Sequence, residues 1–215
     1  MSEITREAFT AADETSDWGI VISGPCALYR TQTYRSAIEL VDAVAGLATD
    51  DLQPEFEIRS RAVLVRLPAP DRRIHSSHLE LAQAITRVAR QHDATPDPSG
   101  IQDVQIALDA ADEDAARAFW GAALGFDPMR HSHLRSRDRI GPTFFINDKP
   151  YRPPRNRFHV DVSLPPSQAQ ARVDAILAAG GHMLGDRYAP EFWSLIDTEG
   201  NVVDLATWQG RDPGD

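Results

Sequence analysis

The chain has 215 residues and a formal net charge of −10, with 42% hydrophobic and 25% charged residues. These proportions are typical of a soluble globular protein, and the acidic balance argues against nucleic acid as a partner. The sequence has no apolar run that could span a bilayer, and its acidic N-terminal residues do not resemble a signal peptide. A single cysteine, Cys26, cannot form an internal disulfide. We therefore expect a cytoplasmic protein without a membrane partner, in which Cys26 is a small buried residue.

A polar segment with two prolines and a glycine, residues 92–100, divides the chain into two predicted domains. In the first, short strands are predicted around Gly24-Pro25, and apolar residues from Tyr34 to Ala48 recur at helical spacing. Two alternating strands then meet at Ser60-Arg61. Ser77-His-Leu-Glu80 predicts a capping box at the start of a last helix. The order strands, helix, two strands, helix indicates an α+β domain.

The second half contains a weak internal repeat of a strand, a helix and further strands. Val104–Leu108 and Phe158–Val162 are the predicted first strands, and helices are expected to begin near Asp112 and Ser167. Both helices are expected to end at glycine, which enters the left-handed conformation at low cost. The later predicted strands are Thr143–Ile146, Phe192–Ile196 and Val202–Ala206. Two such units can pair into one curved sheet around a cavity.

Three segments of the second half carry a family resemblance: Ala118–Phe126, Asn156–Asp161 and Asp197–Leu205. Over residues 101–212 the chain resembles a glyoxalase-like domain of the vicinal-oxygen-chelate superfamily. The resemblance implies an α+β fold of two βαβββ repeats. It leaves the chemistry open, because this superfamily contains isomerases, dioxygenases, resistance proteins and binding proteins.

The first half carries a second resemblance, through the helix at Tyr34 and the segments Pro54–Arg59, Val63–Leu67 and Leu79–Ile85. Over residues 17–92 it resembles a pterin-4a-carbinolamine dehydratase domain, a small sheet covered by helices. Dehydratase-like and glyoxalase-like domains also occur fused in this order in bacterial proteins. The two resemblances together predict two α+β domains in series.

The acid/base residues of the dehydratase family are largely missing from this chain. The family's His-His-Pro motif corresponds to Leu52-Gln53-Pro54, a later histidine to Pro70, and an aspartate to His78. Leucine cannot transfer a proton, and glutamine can only form hydrogen bonds. His75 and His78 remain as candidate catalytic residues, unless both simply lie at an exposed helix start. We therefore expect a degenerate site.

The superfamily of the second half uses four inward side chains for metal, one pair from each repeat. The resemblance places Gln105, His159 and Asp204 at three of these positions and a residue near Asn147 at the fourth, with its register open. Because asparagine is a poor ligand and Asp204 is the single carboxylate, we expect no cofactor. The alternative is a divalent metal held by Gln105, His159 and Asp204. The predicted ligand pocket comprises Gln105, Asn147, His159, Asp204, Trp120 and Trp193.

The stretch from Arg130 to Arg157 is rich in basic residues. Between Arg130 and Arg157 eight basic residues face only Asp138 and Asp148, which indicates either solvated loops or a site for an anion. The leading interpretation is a protein that binds a small molecule, anionic or pterin-like, with the first domain as a packing or dimerisation module. A homodimer is one expected assembly. The alternatives are a 4a-hydroxytetrahydrobiopterin dehydratase with a rearranged site and a metal-dependent lyase, isomerase or dioxygenase.

Overall fold

The structure of the chain is a computed structural model. It describes residues 2–69, 72–114, 116–117, 121, 126–129, 133–136, 138, 141–149, 158–178, 180–196 and 202–211. Two compact units are present: Met1–Gln102 together with Trp208–Asp215, and Asp103–Thr207. The predicted domains were 17–92 and 101–212. Ile101 and Trp208 lie in the first unit, because both join its hydrophobic clusters.

The first unit is built on a five-stranded antiparallel sheet. Its elements are β1 (Glu3–Ile4), α1 (Arg6–Ala11), β2 (Trp18–Val21), β3 (Gly24–Arg30), α2 (Tyr34–Ala45), β4 (Glu55–Arg59), β5 (Ala62–Arg66), β6 (Ile74–His75), α3 (Ser76–Gln91) and β7 (Thr95–Pro96). The strand order is β2-β3-β5-β4, with β7 beside β3, while β1 pairs separately with β6. The predicted order of strands and helices is therefore present, with short elements added at both ends.

Both faces of this sheet are covered, as the alternation along β3 shows. Ala27 and Tyr29 are fully buried in the main cluster, which also contains residues of α2 and α3. Cys26 and Leu28 point to the other face and join a smaller cluster around Ile101. Cys26 is 1% exposed, which confirms that it is a small buried residue.

The start of α2 is a capping box, and the start of α3 differs from the prediction. At α2, Thr33 Oγ1 accepts a hydrogen bond from the Ser36 amide at 3.1 Å, and Ser36 Oγ accepts one from the Thr33 amide at 3.0 Å. The box predicted at Ser77–Glu80 is misplaced, because α3 begins at Ser76 and its N-cap is His75. Serine and glutamate three apart are common inside helices as well as at their starts, so the pattern alone did not fix the start.

The second unit is built on one eight-stranded sheet. Its elements are β8 (Asp103–Ala110), β9 (Asp127–Pro128), β10 (His133–Arg135), β11 (Thr143–Asp148), β12 (Phe158–Ser163), α4 (Pro166–Ala178), β13 (His182–Gly185), β14 (Phe192–Ile196) and β15 (Val202–Ala206). The strand order is β13-β14-β15-β12-β8-β11-β10-β9. The sheet is mixed, since β11 runs parallel to β8 and β15 runs parallel to β12.

The helices of this unit follow the predicted repeat where they are described. Helical residues follow Asp112, whose carbonyl accepts from the Ala116 amide at 3.0 Å, while the predicted end at Gly125 lies outside the described residues. The end of α4 is as predicted, because Gly180 has φ of +94° and the Gly181 amide donates to the Ile176 carbonyl at 3.0 Å. Within the described part of the chain, no helix is long and apolar enough to cross a bilayer.

The sheet of the second unit has one apolar face and one polar face. The apolar face packs against the helices in two clusters, one for each repeat. The buried members of these clusters are Leu108, Ala110, Leu134, Phe144 and Ile146 in the first repeat, and Leu164, Val173, Leu195 and Leu205 in the second. Because alternate residues of a strand point to opposite faces, the intervening residues lie together on the other side.

Candidate functional site

A row of polar side chains crosses the centre of the polar face. Asp161 on β12 pairs with Gln105 on β8 and with Asp204 on β15, so these three residues lie side by side. His159 lies two residues from Asp161 on the same strand and therefore shares its face. Gln105 is 2% exposed and Asp161 is 7% exposed. The structure thus brings Gln105, His159 and Asp204 onto one face and adds Asp161 between them.

The imidazole of His159 lies against two carboxylates. Its Nε2 atom is 3.2 Å from Asp161 Oδ1 and 3.6 Å from Asp204 Oδ2. The donor atoms of these three residues all lie within 4.8 Å of one another. Asp161 Oδ1 is fully buried and has no hydrogen-bond partner of normal geometry among the described residues. The group can therefore hold a positive charge, either a proton on the imidazole or a cation between the three side chains.

Two effects compete for the pKa of His159. Burial lowers the pKa. Asp161 raises it through its close contact and its charge, and the charges of Asp204 and Asp109 raise it further. The pKa of His159 is therefore above its ordinary value. Asp109 is itself buried and accepts a hydrogen bond from Asn147 Nδ2 at 3.1 Å. These carboxylates therefore make the surroundings of His159 acidic.

The internal symmetry of the sheet identifies the counterpart of each second-repeat residue. Gln105 pairs with Asp161 across β8 and β12, and Ala107 pairs with His159 in the same ladder. The resemblance places Gln105 and His159 at equivalent first-strand positions of the two repeats, which relates Ala107 to Asp161. Since Asp204 stands beside Asp161, its counterpart is the residue of β11 that stands beside Ala107.

That residue is Phe145, not Asn147. Asn147 lies one step further along the same face, beside Asp109. The open register of the fourth superfamily position is thus resolved, and the position carries a phenyl ring that cannot ligate a metal. The four-residue metal site with one pair from each repeat does not fit this chain.

Phe145 instead forms part of an aromatic row. Its ring meets that of His159 edge-on, with 6.3 Å between centroids, and stacks on that of His133 at 5.4 Å. His133 is half-buried in β10, directly opposite Phe145. The ring of Phe145 therefore separates two histidines on the polar face.

Of the two tryptophans predicted in the pocket, the structure describes only Trp193. Trp193 pairs with Leu205 on β15 and packs in the helix-facing cluster with Leu195, so its assignment to the pocket is wrong. The next residue along β14, Ser194, stands beside Asp204 on the polar face, so Trp193 lies on the opposite face. Trp120 lies outside the described residues.

Of the two candidate catalytic histidines of the first unit, His78 has a structural role. His78 is 6% exposed, its Nδ1 accepts from the His75 amide at 3.2 Å, and its Nε2 lies 3.1 Å from the Pro68 carbonyl, to which it donates. Both ring nitrogens are thus engaged at the start of α3, which leaves none for substrate. His75 is half-buried in β6, opposite Glu3. The alternative of an exposed helix start is also wrong for His78.

Two other predicted features are only partly described. Of the eight basic residues between Arg130 and Arg157, the structure describes Arg135 and Lys149, and the others lie outside it. Leu52, at the family's motif position, is 7% exposed, while Pro70 is outside the described residues. The anion site in this stretch therefore stays a prediction.

Comparison with known proteins finds similarities to the second unit. Residues 105–206 match the family described as Glyoxalase-like domain. A similar solved structure is a glyoxalase/bleomycin resistance protein/dioxygenase superfamily member from Vibrio splendidus 12B01, with 13% identity and a TM-score of 0.35 over 50% of this chain and 99% of that one. Another is the lactoylglutathione lyase from Agrobacterium tumefaciens, with 18% identity and a TM-score of 0.22 over 50% and 95%. No curated protein is significantly similar to the chain. The dehydratase resemblance of residues 17–92 stays a prediction.

Proposed function

We propose that the glyoxalase-like domain binds a small organic molecule on the polar face of its sheet. The supporting observation is that Gln105 and Asp161 are buried on this face, next to His159, while apolar side chains pack on the other face. Burial of a polar group without a partner costs roughly 1–3 kcal/mol, so such a face is stable mainly when a ligand, an ion or water satisfies it.

The charge of the site favours a ligand that donates hydrogen bonds. Asp161, Asp204 and Asp109 all raise the pKa of His159, so its described surroundings are acidic. These carboxylates would repel an anion and accept from amino or ring N–H groups. A pterin-like heterocycle has such donors on one edge and a flat ring that could lie near Phe145. Of the two ligand classes expected from the sequence, we propose the pterin-like class over the anionic one.

Titration of the EDTA-treated protein with two probes tests this proposal. L-biopterin supplies the donor-bearing heterocycle and D-lactate the small anion. We expect biopterin, but not lactate, to shift the His159 ring signals in NMR spectra, with affinity weakened about tenfold or more in Asp161→Asn. Asp174→Asn, on the exposed side of α4, is the matched control. Binding of lactate without binding of biopterin would refute the proposal. Equal biopterin affinity in Asp161→Asn and Asp174→Asn would also refute it.

A second candidate function is a metal-dependent lyase, isomerase or dioxygenase. The cluster of His159, Asp161 and Asp204 favours it, because imidazole and carboxylate donors suit a divalent ion. The expectation that no metal binds assumed a single carboxylate, and that premise is wrong, since Asp161 stands beside Asp204. Elemental analysis of the purified protein separates this function from ligand binding alone.

For the first unit we propose a packing or dimerisation role rather than dehydration. His78 has both nitrogens engaged and Leu52 is buried, so neither supports proton transfer to a pterin ring.

A further inference from the structure

We infer that the ligand of the polar face is extended, and that the loop before β14, residues 186–191, binds its tail. The inference rests on the proposed function and adds the chemical class of the tail, which is an aromatic ring that carries a carboxylate. The group of the loop that binds the carboxylate is Arg187, which lies against Tyr188. The carboxylates near His159 and this guanidinium then contact different ends of one molecule.

Strand β14 connects this loop to the polar face. Trp193 and Leu195 pack in the helix-facing cluster. Phe192 and Ser194 alternate with them and therefore point to the polar face. Ser194 stands beside Asp204, and Phe192 lies about 7 Å from Ser194 along the strand, since each residue advances it by about 3.4 Å. The ring of Phe192 is thus on the same face as the acidic group, one step closer to the loop.

An aromatic stack extends from Phe192 to the guanidinium. The ring of Tyr188 stacks on that of Phe192, with 4.9 Å between centroids and 20° between planes. Arg187 Cζ lies over the Tyr188 ring, 4.4 Å from its centroid, and the guanidinium donates a hydrogen bond to the Tyr188 hydroxyl. Tyr188 is 46% exposed, so the stack is open to solvent. It offers ring surface for an aromatic group and a positioned guanidinium for an anion.

Hydrogen bonds to backbone carbonyls hold the loop in this shape. The Glu191 amide donates to the Tyr188 carbonyl at 2.8 Å. Thr207, which follows β15, donates from its amide to the Glu191 carbonyl at 2.8 Å and from its hydroxyl to the Pro190 carbonyl at 2.5 Å. The stack is therefore preorganised, which lowers the entropic cost of binding a ligand there.

The charges along the face define the chemistry of the tail. Asp161 and Asp204 lie against His159 at one end of the proposed site. In the described part of the chain, Arg187 makes its contacts with Tyr188 and has no ion pair with a carboxylate. Guanidinium groups recognise carboxylates through two parallel hydrogen bonds. A donor-bearing heterocycle joined to an aromatic carboxylate therefore matches both ends of the site, whereas a heterocycle with a short neutral tail matches one.

Two pterin probes with different tails test the inference on the full chain in EDTA. L-biopterin has a short neutral tail, whereas folic acid has a tail with a benzoyl ring and carboxylates. Isothermal titration calorimetry measures both affinities. We expect folic acid to bind about tenfold or more tightly than biopterin, because ring stacking and a charge-assisted hydrogen bond add to the contacts of the heterocycle.

Variants of the loop show whether the stack causes this difference. Arg187→Gln should weaken folic acid binding about tenfold and change biopterin binding by less than about threefold. Tyr188→Ala should also weaken folic acid selectively, whereas Tyr188→Phe keeps the ring and should retain most of the affinity. The matched control is Arg172→Gln on α4, the helix that packs on the opposite face of the sheet. Circular dichroism verifies that each variant folds.

The outcomes separate this inference from the proposed function. Biopterin binding without a gain for folic acid would overturn the inference and leave the proposed function in place. An equal loss for both probes in Arg187→Gln would do the same, as would a loss of folic acid affinity in Arg172→Gln as large as in Arg187→Gln. If neither probe binds, the proposed function and the inference both fail.

Discussion

Buried polar side chains have different surroundings in the two units. In the first, Thr86 is fully buried, accepts from Trp18 Nε1 at 3.0 Å and lies 3.3 Å from the Tyr29 hydroxyl, which also donates to Asp17 at 3.4 Å. In the second, the buried Asp161 lies against His159 and Asp204. A buried polar side chain therefore indicates different things in the two units. A closed hydrogen-bonded network holds a core together, while a cluster of like charges around one histidine indicates a binding site.

The two repeats of the second unit differ in the same way. Their strands are related by symmetry, but His159, Asp161 and Asp204 correspond to Gln105, Ala107 and Phe145. The helix-facing clusters are apolar in both repeats. The helix-facing residues are thus apolar in both repeats, whereas the polar-face residues differ. The imidazole and carboxylate groups lie in the second repeat.

The largest expected effect tests whether the first unit lacks dehydratase activity. General acid/base groups supply roughly 10²–10⁴ in rate, and the only histidine at a family position, His78, uses both nitrogens in the fold. We therefore expect pterin-4a-carbinolamine dehydratase turnover near the uncatalysed background. The measurement compares this chain with a homologue that carries the His-His-Pro motif. Turnover similar to that homologue, abolished by His75→Ala or His78→Ala, would show that the contrast between the units is wrong.

The second prediction tests whether the network of the first unit stabilises its core. Thr86→Val keeps the side-chain shape but leaves the Trp18 donor without its acceptor, and we expect a loss of about 1–3 kcal/mol in unfolding free energy. The control is Thr10→Val, whose hydroxyl bonds to the Arg6 carbonyl at the surface and should cost about 0.5 kcal/mol or less. Urea unfolding measures both. Equal losses would mean that the buried network contributes no more than a surface bond.

The sequence was sufficient for much of the fold, because the spacing of apolar residues is a local signal. It predicted β14 and β15 to the residue and the glycine end of α4. The alternation of a strand also follows directly from its sequence, and it puts His159 and Asp161 on one face. These features depend on a few neighbouring residues, so no knowledge of the tertiary structure was needed.

The remainder depends on register between distant strands. Phe145 and Asn147 share a face of β11, and only the pairing of β11 with β8 shows which of them corresponds to Asp204. Trp193 was misassigned because the faces of β14 are defined by its pairing with β15. Asp161 was missed as a site residue for the same reason, as its proximity to Asp204 is a cross-strand contact.

The smallest expected effect concerns the proton of His159 in the EDTA-treated protein. Asp161 is the foremost cause that raises the pKa of His159, followed by Asp204 and Asp109, while burial opposes them. Asp161→Asn should therefore lower this pKa, and Asp109→Asn should lower it less. NMR titration of the His159 ring signals measures the change, with His159→Gln as the means of assignment. An unchanged or raised pKa in Asp161→Asn would contradict the electrostatic description of the site.

The sign of the linked effect on stability follows from the same shift. Because the folded-state pKa of His159 is raised above its unfolded value of about 6.5, protonated His159 stabilises the fold below that value, and this stabilisation is lost as the pH rises through the folded-state pKa. In Asp161→Asn the pH-dependent part should shrink, so the difference in stability between the two proteins should narrow as the pH rises. Unfolding measured in EDTA across this range tests the linkage. A difference that widens with pH would show that Asp161 acts against the charged imidazole, and the second repeat would then not be organised around a positive charge.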